Sequence, residues 1–244
     1  MNKMRNWTTD FAIRILIKLA LTLPLKIRLR LVGTILKKLV APIAGYKKRA
    51  ISNLKYIYPD MTSFERSRIA DAVADNAGRT FIENYDILGL RDRMKNVPIE
   101  GNGLSAIIKA REEKKPVLFV TGHFGNFEAP RAALVAQGFQ VGGLYRPMAN
   151  PFFNRHYAEN MHKLSGPIFQ QGPTGTIGLF RHIKSGGMAV LLFDTYHSKG
   201  DPITFLGKPA PTLTSAAEIA LKTNALLIPF FGLRQKDGET FRVI

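Results

Sequence analysis

From residue 98 to the end of the chain, short apolar runs alternate with segments of helical length. This alternation constrains the fold more tightly than any other feature. The runs fall at 116–121, 141–144, 166–169, 188–193 and 226–231. Helical stretches pass through Arg131 and Ala136, follow Pro151, and span about 175–184 and 214–223. Continuous apolar runs suit strands buried on both faces, and the helices between them suit crossovers that join parallel strands. The expected fold class is α/β, a mostly parallel central sheet flanked by helices. In such sheets ligands sit beyond the carboxyl ends of the strands.

Before residue 97 the pattern is all helical. Residues 10–57 predict two or three helices broken near Pro24 and Pro42, and Thr62-Ser63-Phe64-Glu65 is a capping-box pattern opening a long helix toward Leu88. The expected division is a basic helical region over 1–96 and an α/β domain over 97–244, in a chain long enough to bury a sizeable core. Cysteine is absent, so neither a disulfide framework nor a zinc–thiolate site is available.

The net charge of +17 is concentrated at the start. Residues 1–50 hold twelve basic residues and one acid, Asp10, so they carry +11 and leave +6 for the other 194. Such an excess points to an anionic partner. Nucleic-acid arms are usually solvated, whereas here Leu and Ile fill the gaps between the basic residues, which suits helices lying in a lipid headgroup region. Arg14 and Lys18 share one helix face and leave an apolar face of Phe11, Ile13, Ile15, Leu16, Leu19 and Leu23. A bilayer span is the lesser alternative, because every 20-residue window over 11–40 holds at least two basic residues. A third alternative packs these helices on the domain's own core with the lysines solvated. No nucleic-acid module is recognisable.

The first apolar run ends in Gly122-His123-Phe124-Gly125-Asn126-Phe127-Glu128. Pro130 lacks an N–H, so it belongs to a first helical turn and the helix starts no earlier than about Phe127. Glu128 then lies where the helix dipole favours an ionised carboxylate. A carboxylate across a tight turn from an imidazole holds one tautomer and stabilises the imidazolium formed when the ring accepts a proton. No Ser, Cys or Thr nucleophile stands beside the pair, so it suits deprotonating a hydroxyl that arrives with the substrate. Gly125 and Asn126 are candidates for an oxyanion site. The bland alternative is a loop histidine and a helix-start acid with no joint role. His156, His162, His182 and His197 carry weaker signals, and a metal site of His197 with Asp194 and Asp201 is disfavoured against solvated loop residues.

These residues resemble the H-x4-D/E motif of the glycerolipid acyltransferases, in the form found in the lipid A biosynthesis (lauroyl/myristoyl) acyltransferase family, a branch of the lysophospholipid acyltransferase superfamily. Lys48-Arg49-Ala50 with Asn53-Leu54 and Tyr58-Pro59 is similar to that family's basic N-terminal segment. Leu144-Tyr145-Arg146-Pro147 with Asn150-Pro151 resembles its Y-R-P block. Lys184-Ser185-Gly186-Gly187 leading to Leu191-Leu192-Phe193-Asp194 resembles its strand ending in Asp-Gln. Phe205-Leu206-Gly207-Lys208-Pro209-Ala210, with Ala217, Ala220 and Thr223, is similar to its F-F-G-x-x-A stretch and following helix.

The resemblance implies base-catalysed acyl transfer on a glycerolipid-acyltransferase-like fold. His123, oriented by Glu128, would deprotonate a hydroxyl of a lipid A precursor, which attacks the thioester of acyl carrier protein or coenzyme A without metal or cofactor. Arg146, able to grip phosphate in a bidentate fashion, would bind acceptor or donor. Asp194 is a polar wall of the same cleft or a turn residue. The implied partners are acyl carrier protein, the lipid acceptor and an anionic lipid surface on the cytoplasmic face of the inner membrane. Two departures stand out: Thr195 replaces the Gln after the strand-end Asp, and the chain stops in an apparent strand, 241–244, where family members continue. That stop implies a fragment or a sheet completed differently. The alternatives are another lipid acceptor (a lysophospholipid, a phosphatidylinositol mannoside or an amino-acid lipid) or a non-catalytic lipid-binding protein.

Overall fold

The computed structural model describes residues 2–244. The N-terminal part comprises α1 (Asn2–Leu21), α2 (Leu25–Ile35), a π-helical stretch over Leu36–Val40, α3 (Ala41–Ile43), α4 (Tyr46–Ile57), α5 (Ser63–Tyr85) and α6 (Ile87–Met94). The break expected near Pro24 is present. The one expected near Pro42 falls instead at Gly45, which adopts φ 76°; Pro42 stands just after the π-helical stretch, which runs into α3 without a break. The capping box forms as read: Thr62 accepts from the Glu65 N–H, and Glu65 reaches back to the Thr62 N–H. The long helix it opens ends at Tyr85, and α6 follows as a separate helix.

α2 and α5 cross at a pair of glycines. A Cβ on Gly78 would lie 2.7 Å from the Val32 carbonyl and 2.8 Å from Gly33 Cα, so only glycine permits this approach. Among the described residues no helix is long and apolar enough to cross a membrane. α1 and α2 nonetheless expose large apolar side chains at helical spacing, Trp7, Phe11 and Ile15 on one and Ile27, Leu31 and Ile35 on the other. Ile13 instead packs toward the protein, against the buried cluster that holds Ile17 and Leu29.

After α7 (Leu104–Glu112) the expected alternation appears: β1 (Val117–Thr121), α8 (Glu128–Ala136), β2 (Val141–Tyr145), α9 (Pro151–Leu164), β3 (Ile168–Gln170), α10 (Pro173–Lys184) and β4 (Met188–Leu192). Then come β5 (Asp201–Phe205), β6 (Lys208–Thr212), α11 (Ser215–Thr223), β7 (Leu226–Pro229), β8 (Gly232–Arg234) and β9 (Phe241–Val243). Five strands form one parallel sheet in the order β3-β2-β4-β1-β7. β1 is buried along its whole length. Its alternate side chains feed two apolar layers: Val117 and Phe119 pack with Ile107 and Leu134, while Leu118 packs with Leu179, Ile183 and Ile219. Each fully buried side chain of this kind stabilises the fold by about 1.5–3 kcal/mol.

Two hairpins complete the chain. β5 and β6 pair antiparallel through a two-residue turn, Leu206-Gly207, with φ 51° and 75°, the both-positive geometry of a tight hairpin. The sequence pattern had concealed it, because Pro202, Pro209 and Pro211 argue against strand; a two-stranded ribbon has only edges, where proline is tolerated. β9 pairs antiparallel with β8, and Val243 also bridges Ile99.

Candidate active site

β1 and β4 are neighbours, with Thr121 opposite Leu192. Two residues beyond each of these, at the carboxyl edge of the sheet, stand His123 and Asp194. His123 Nδ1 lies 2.8 Å from Asp194 Oδ1, and the His123 backbone N–H donates to Asp194 Oδ2 at 2.6 Å. An ionised carboxylate only accepts, so Nδ1 carries the proton and Nε2 holds the free lone pair. Nε2 has no hydrogen-bond partner among the described residues, and the ring is half exposed. Its edge meets Phe127 at 5.3 Å between ring centres. Partial burial pushes the Asp194 carboxyl up, but the imidazole and backbone donors of His123 outweigh it and hold it below the ordinary carboxylate value. Gly122 makes the contact possible, since a Cβ there would lie 2.8 Å from Asp194 Oδ2.

Glu128 opens α8 as expected, but its side chain is engaged elsewhere. Its Oε2 accepts from Arg131 Nη1 at 3.0 Å, and both side chains are buried. Arg131 also donates to the carbonyls of Val141 (2.9 Å) and Ser165 (2.7 Å), tying α8 to the start of β2 and the end of α9. The expectation that Glu128 holds the His123 ring therefore needs correcting at the level of contact: the imidazole nitrogen is held by Asp194. A fully buried guanidinium one helical turn away demands a counter-charge, and Glu128 supplies it.

Asn126 is also turned away from the cleft. It is fully buried; its N–H donates to the Gly232 carbonyl (3.1 Å), its amide to Glu83 Oε2 (2.8 Å), and its Oδ1 accepts the Glu128 N–H (2.9 Å). All its polar groups are thus taken, and its expected place in an oxyanion site falls away. Gly125 has φ 58°, and a Cβ there would run into the Gly232 carbonyl. Its own N–H has no acceptor among the described residues.

Arg146 follows β2 at the same sheet edge, exposed and without a hydrogen bond or ion pair among the described residues. The spacing of about 4.8 Å between strands sets it two strands, or ~10 Å, from the His123 position. Beside Asp194 opens a cavity of about 520 Å³ with a mostly apolar wall that includes Val120, Phe193, Ile203, Phe205, Leu213 and Leu227. Thr195 also lines it. The hairpin β5–β6 forms one side, so the segment missed as strand shapes the cleft. Glu83 and Arg234 belong to no sequence motif; their one signal is a carboxylate within the apolar face of α5.

Three of the remaining histidines serve locally. His156 stacks on Tyr85 at 5.3 Å, His182 bonds the Met188 carbonyl at 3.2 Å, and His197 Nδ1 accepts the Lys199 N–H at 3.2 Å.

A sequence model of the family described as bacterial lipid A biosynthesis acyltransferase matches residues 1–244. The chain is similar, at 22% identity, to the lipid A biosynthesis myristoyltransferase of Escherichia coli (strain K12), over 81% of this chain and 61% of that protein. At the same identity it is similar to the lipid A biosynthesis acyltransferase of Haemophilus influenzae, over 94% and 72% of the two chains. The lipid A biosynthesis lauroyltransferase of E. coli is 24% identical over 98% and 78%. The aligned part of this chain thus spans about three-fifths of the length of the first of these relatives. A match along the whole sequence, with a histidine–carboxylate pair at a strand end beside an apolar cavity, places the protein: the chain belongs to the bacterial lipid A biosynthesis acyltransferase family.

Proposed function

We propose that the protein transfers a fatty acyl chain from an acyl thioester to a hydroxyl of a lipid A precursor, with His123 as general base. The observation that carries this reading is the His123–Asp194 pair, which leaves Nε2 without a partner among the described residues while Asp194 itself lines the cavity. Nε2 takes the proton of the acceptor hydroxyl as its oxygen attacks the thioester carbonyl. The resulting oxyanion accepts from the Gly125 N–H. Collapse breaks the carbon–sulfur bond, and the departing thiolate of the acyl carrier protein or coenzyme A takes the proton from the imidazolium. The balance closes with no further reactant. Asp194 holds the Nδ1 proton throughout, and Glu128 anchors the start of α8 through Arg131. Arg146 grips a phosphate, and the cavity takes the acyl chain.

The basic helices dock this machinery on an anionic lipid surface, the cytoplasmic face of the inner membrane. The exposed apolar residues of α1 and α2 beside Lys18, Lys26, Arg30 and Lys38 support that role.

The test supplies acyl-carrier-protein and coenzyme A thioesters to the purified protein with a tetra-acylated lipid A precursor and, separately, a lysophospholipid. Mass spectrometry reads the added acyl chain. The expected result is a gain on the lipid A precursor that disappears in His123→Ala. A gain on the lysolipid alone would change the acceptor, and no gain on either would overturn the reading.

A further inference from the structure

Behind the His123 turn lies a buried polar cluster that the chemistry above does not use. Glu83 on α5 is fully buried, and Arg234 on β8 nearly so. Arg234 Nη1 donates to Glu83 Oε1 at 2.9 Å and Nη2 to Oε2 at 2.6 Å, a bidentate pair. Arg234 Nε donates to Asn76 Oδ1 at 2.8 Å, and Nη2 also reaches Thr80 Oγ1 at 3.3 Å. Its guanidinium sits over the Phe241 ring, 4.7 Å from the centroid.

Each α5 residue that Arg234 touches also touches the turn. Asn76 Nδ2 donates to the Gly125 carbonyl at 2.7 Å, the Thr80 hydroxyl donates to the same oxygen at 3.0 Å, and Glu83 Oε2 accepts from Asn126. Positions 76, 80 and 83 fall on one helix face. The peptide joining Gly125 to Asn126 is thereby held at both ends, its carbonyl by Asn76 and Thr80 and its N–H by Gly232. That sets the positive φ of Gly125 and leaves its own N–H without an acceptor among the described residues. A buried ion pair adds little stability over packed apolar residues of equal volume. Its value here is geometric.

We infer that Asn76, Thr80 and Glu83 are positioning residues for acyl transfer: together with Arg234 they orient the 122–128 turn so that the Gly125 N–H and the His123 ring meet one reacting carbonyl. The inference rests on the reading that this turn is the reaction centre. α5 is also the helix that α2 crosses at Gly33 and Gly78, so the positioning face and the helices carrying the basic charge share one element.

Asn76→Asp tests it. The carboxylate keeps the partner of Arg234 but sets a negative oxygen against the Gly125 carbonyl. Thr80→Val removes the second donor without changing shape, and Thr80→Ser restores it. Two readouts are taken on each full-length variant beside its melting midpoint: kinetics with the acyl thioester, and the downfield NMR resonance of the His123 Nδ1 proton, assigned by its loss in His123→Ala. The expected result is a kcat lowered ~10–100-fold in Asn76→Asp, the scale of a ~1 Å misplacement. KM for the thioester stays within about twofold, the Nδ1 resonance shifts, and Thr80→Ser recovers what Thr80→Val loses. An altered resonance in a protein whose wild type transfers no acyl group would uphold the positioning and remove the acyl-transfer reading. Unchanged kcat and resonance in folded Asn76→Asp and Thr80→Val would overturn the inference.

Discussion

Asp194 grips His123 at two points, the ring Nδ1 at 2.8 Å and the backbone N–H at 2.6 Å, with one oxygen of its carboxylate on each. Ring tautomer and turn are thus set by the same side chain. An amide at this position offers one acceptor in place of two and no negative charge to stabilise an imidazolium. Asp194→Asn is therefore expected to lower kcat by about 10²–10⁴, the range contributed by a well-poised general base. Glu128→Gln, which still accepts from Arg131, should act mainly on the melting temperature. Steady-state kinetics on the two variants decide between them. A larger kcat loss in a folded Glu128→Gln would return the orienting role to Glu128.

Gly122→Ala probes the same contact sterically. The added methyl would lie 2.8 Å from Asp194 Oδ2, so the carboxylate must move off the ring. A displacement near 1 Å is expected to cost on the order of 10²-fold in turnover. The melting temperature should move only slightly, because an aspartate at an exposed strand end carries little of the core. If the melting temperature collapsed while the turnover of the remaining folded protein stayed normal, the glycine would be a folding requirement alone.

Docking through the basic helices from α1 to α4 predicts binding to vesicles rich in anionic lipid that weakens with salt. Each exposed basic residue removed should cost roughly fivefold in affinity, ~1 kcal/mol near such a surface. Lys38→Ala and Lys48→Ala are expected to show it. Lys47→Ala should show less, because Lys47 Nζ is already 2.7 Å from Asp71 Oδ1. Ile27→Glu with Leu31→Glu should abolish vesicle recovery. Flotation assays across a salt series measure all of these, and recovery insensitive to both salt and the Glu substitutions would rule docking out.

The hairpin that presents Arg234 has an acid-sensitive cap. The Glu239 N–H, the Thr240 hydroxyl and the Thr240 N–H donate to Asp237 and hold its carboxyl down to about 2. A depressed folded value means that the cap is fully stabilising above the unfolded value near ~3.9. It is lost as pH falls through about 2. Titration of the Asp237 carboxyl carbon by NMR should show a midpoint near that lower value. A midpoint at the ordinary aspartate value would mean that the cap does not form in solution.

The elements of this fold are written in local periodicity. Five continuous apolar runs separated by helix-length segments were enough to read a parallel sheet, and Pro130 alone placed the start of α8 within a residue. The His123 turn was legible for the same reason, since glycines, histidine and carboxylate lie within seven consecutive positions. Which residues pair across space was not: the resemblance offered Asp194 as a wall of the cleft, without its contact to His123. Asp194 is 71 residues from His123 and meets it because β4 is the sheet neighbour of β1, an order that no run of residues encodes. Glu128 is five residues from His123, yet it pairs with Arg131, because a buried guanidinium claims the carboxylate beside it. Glu83 and Arg234, 151 positions apart, become partners only when α5 packs behind the turn. Local pattern selects elements through short-range sterics and hydrophobic spacing. The partner of each buried charge is selected by packing, since desolvation makes the nearest compensating group in the folded state the one that counts.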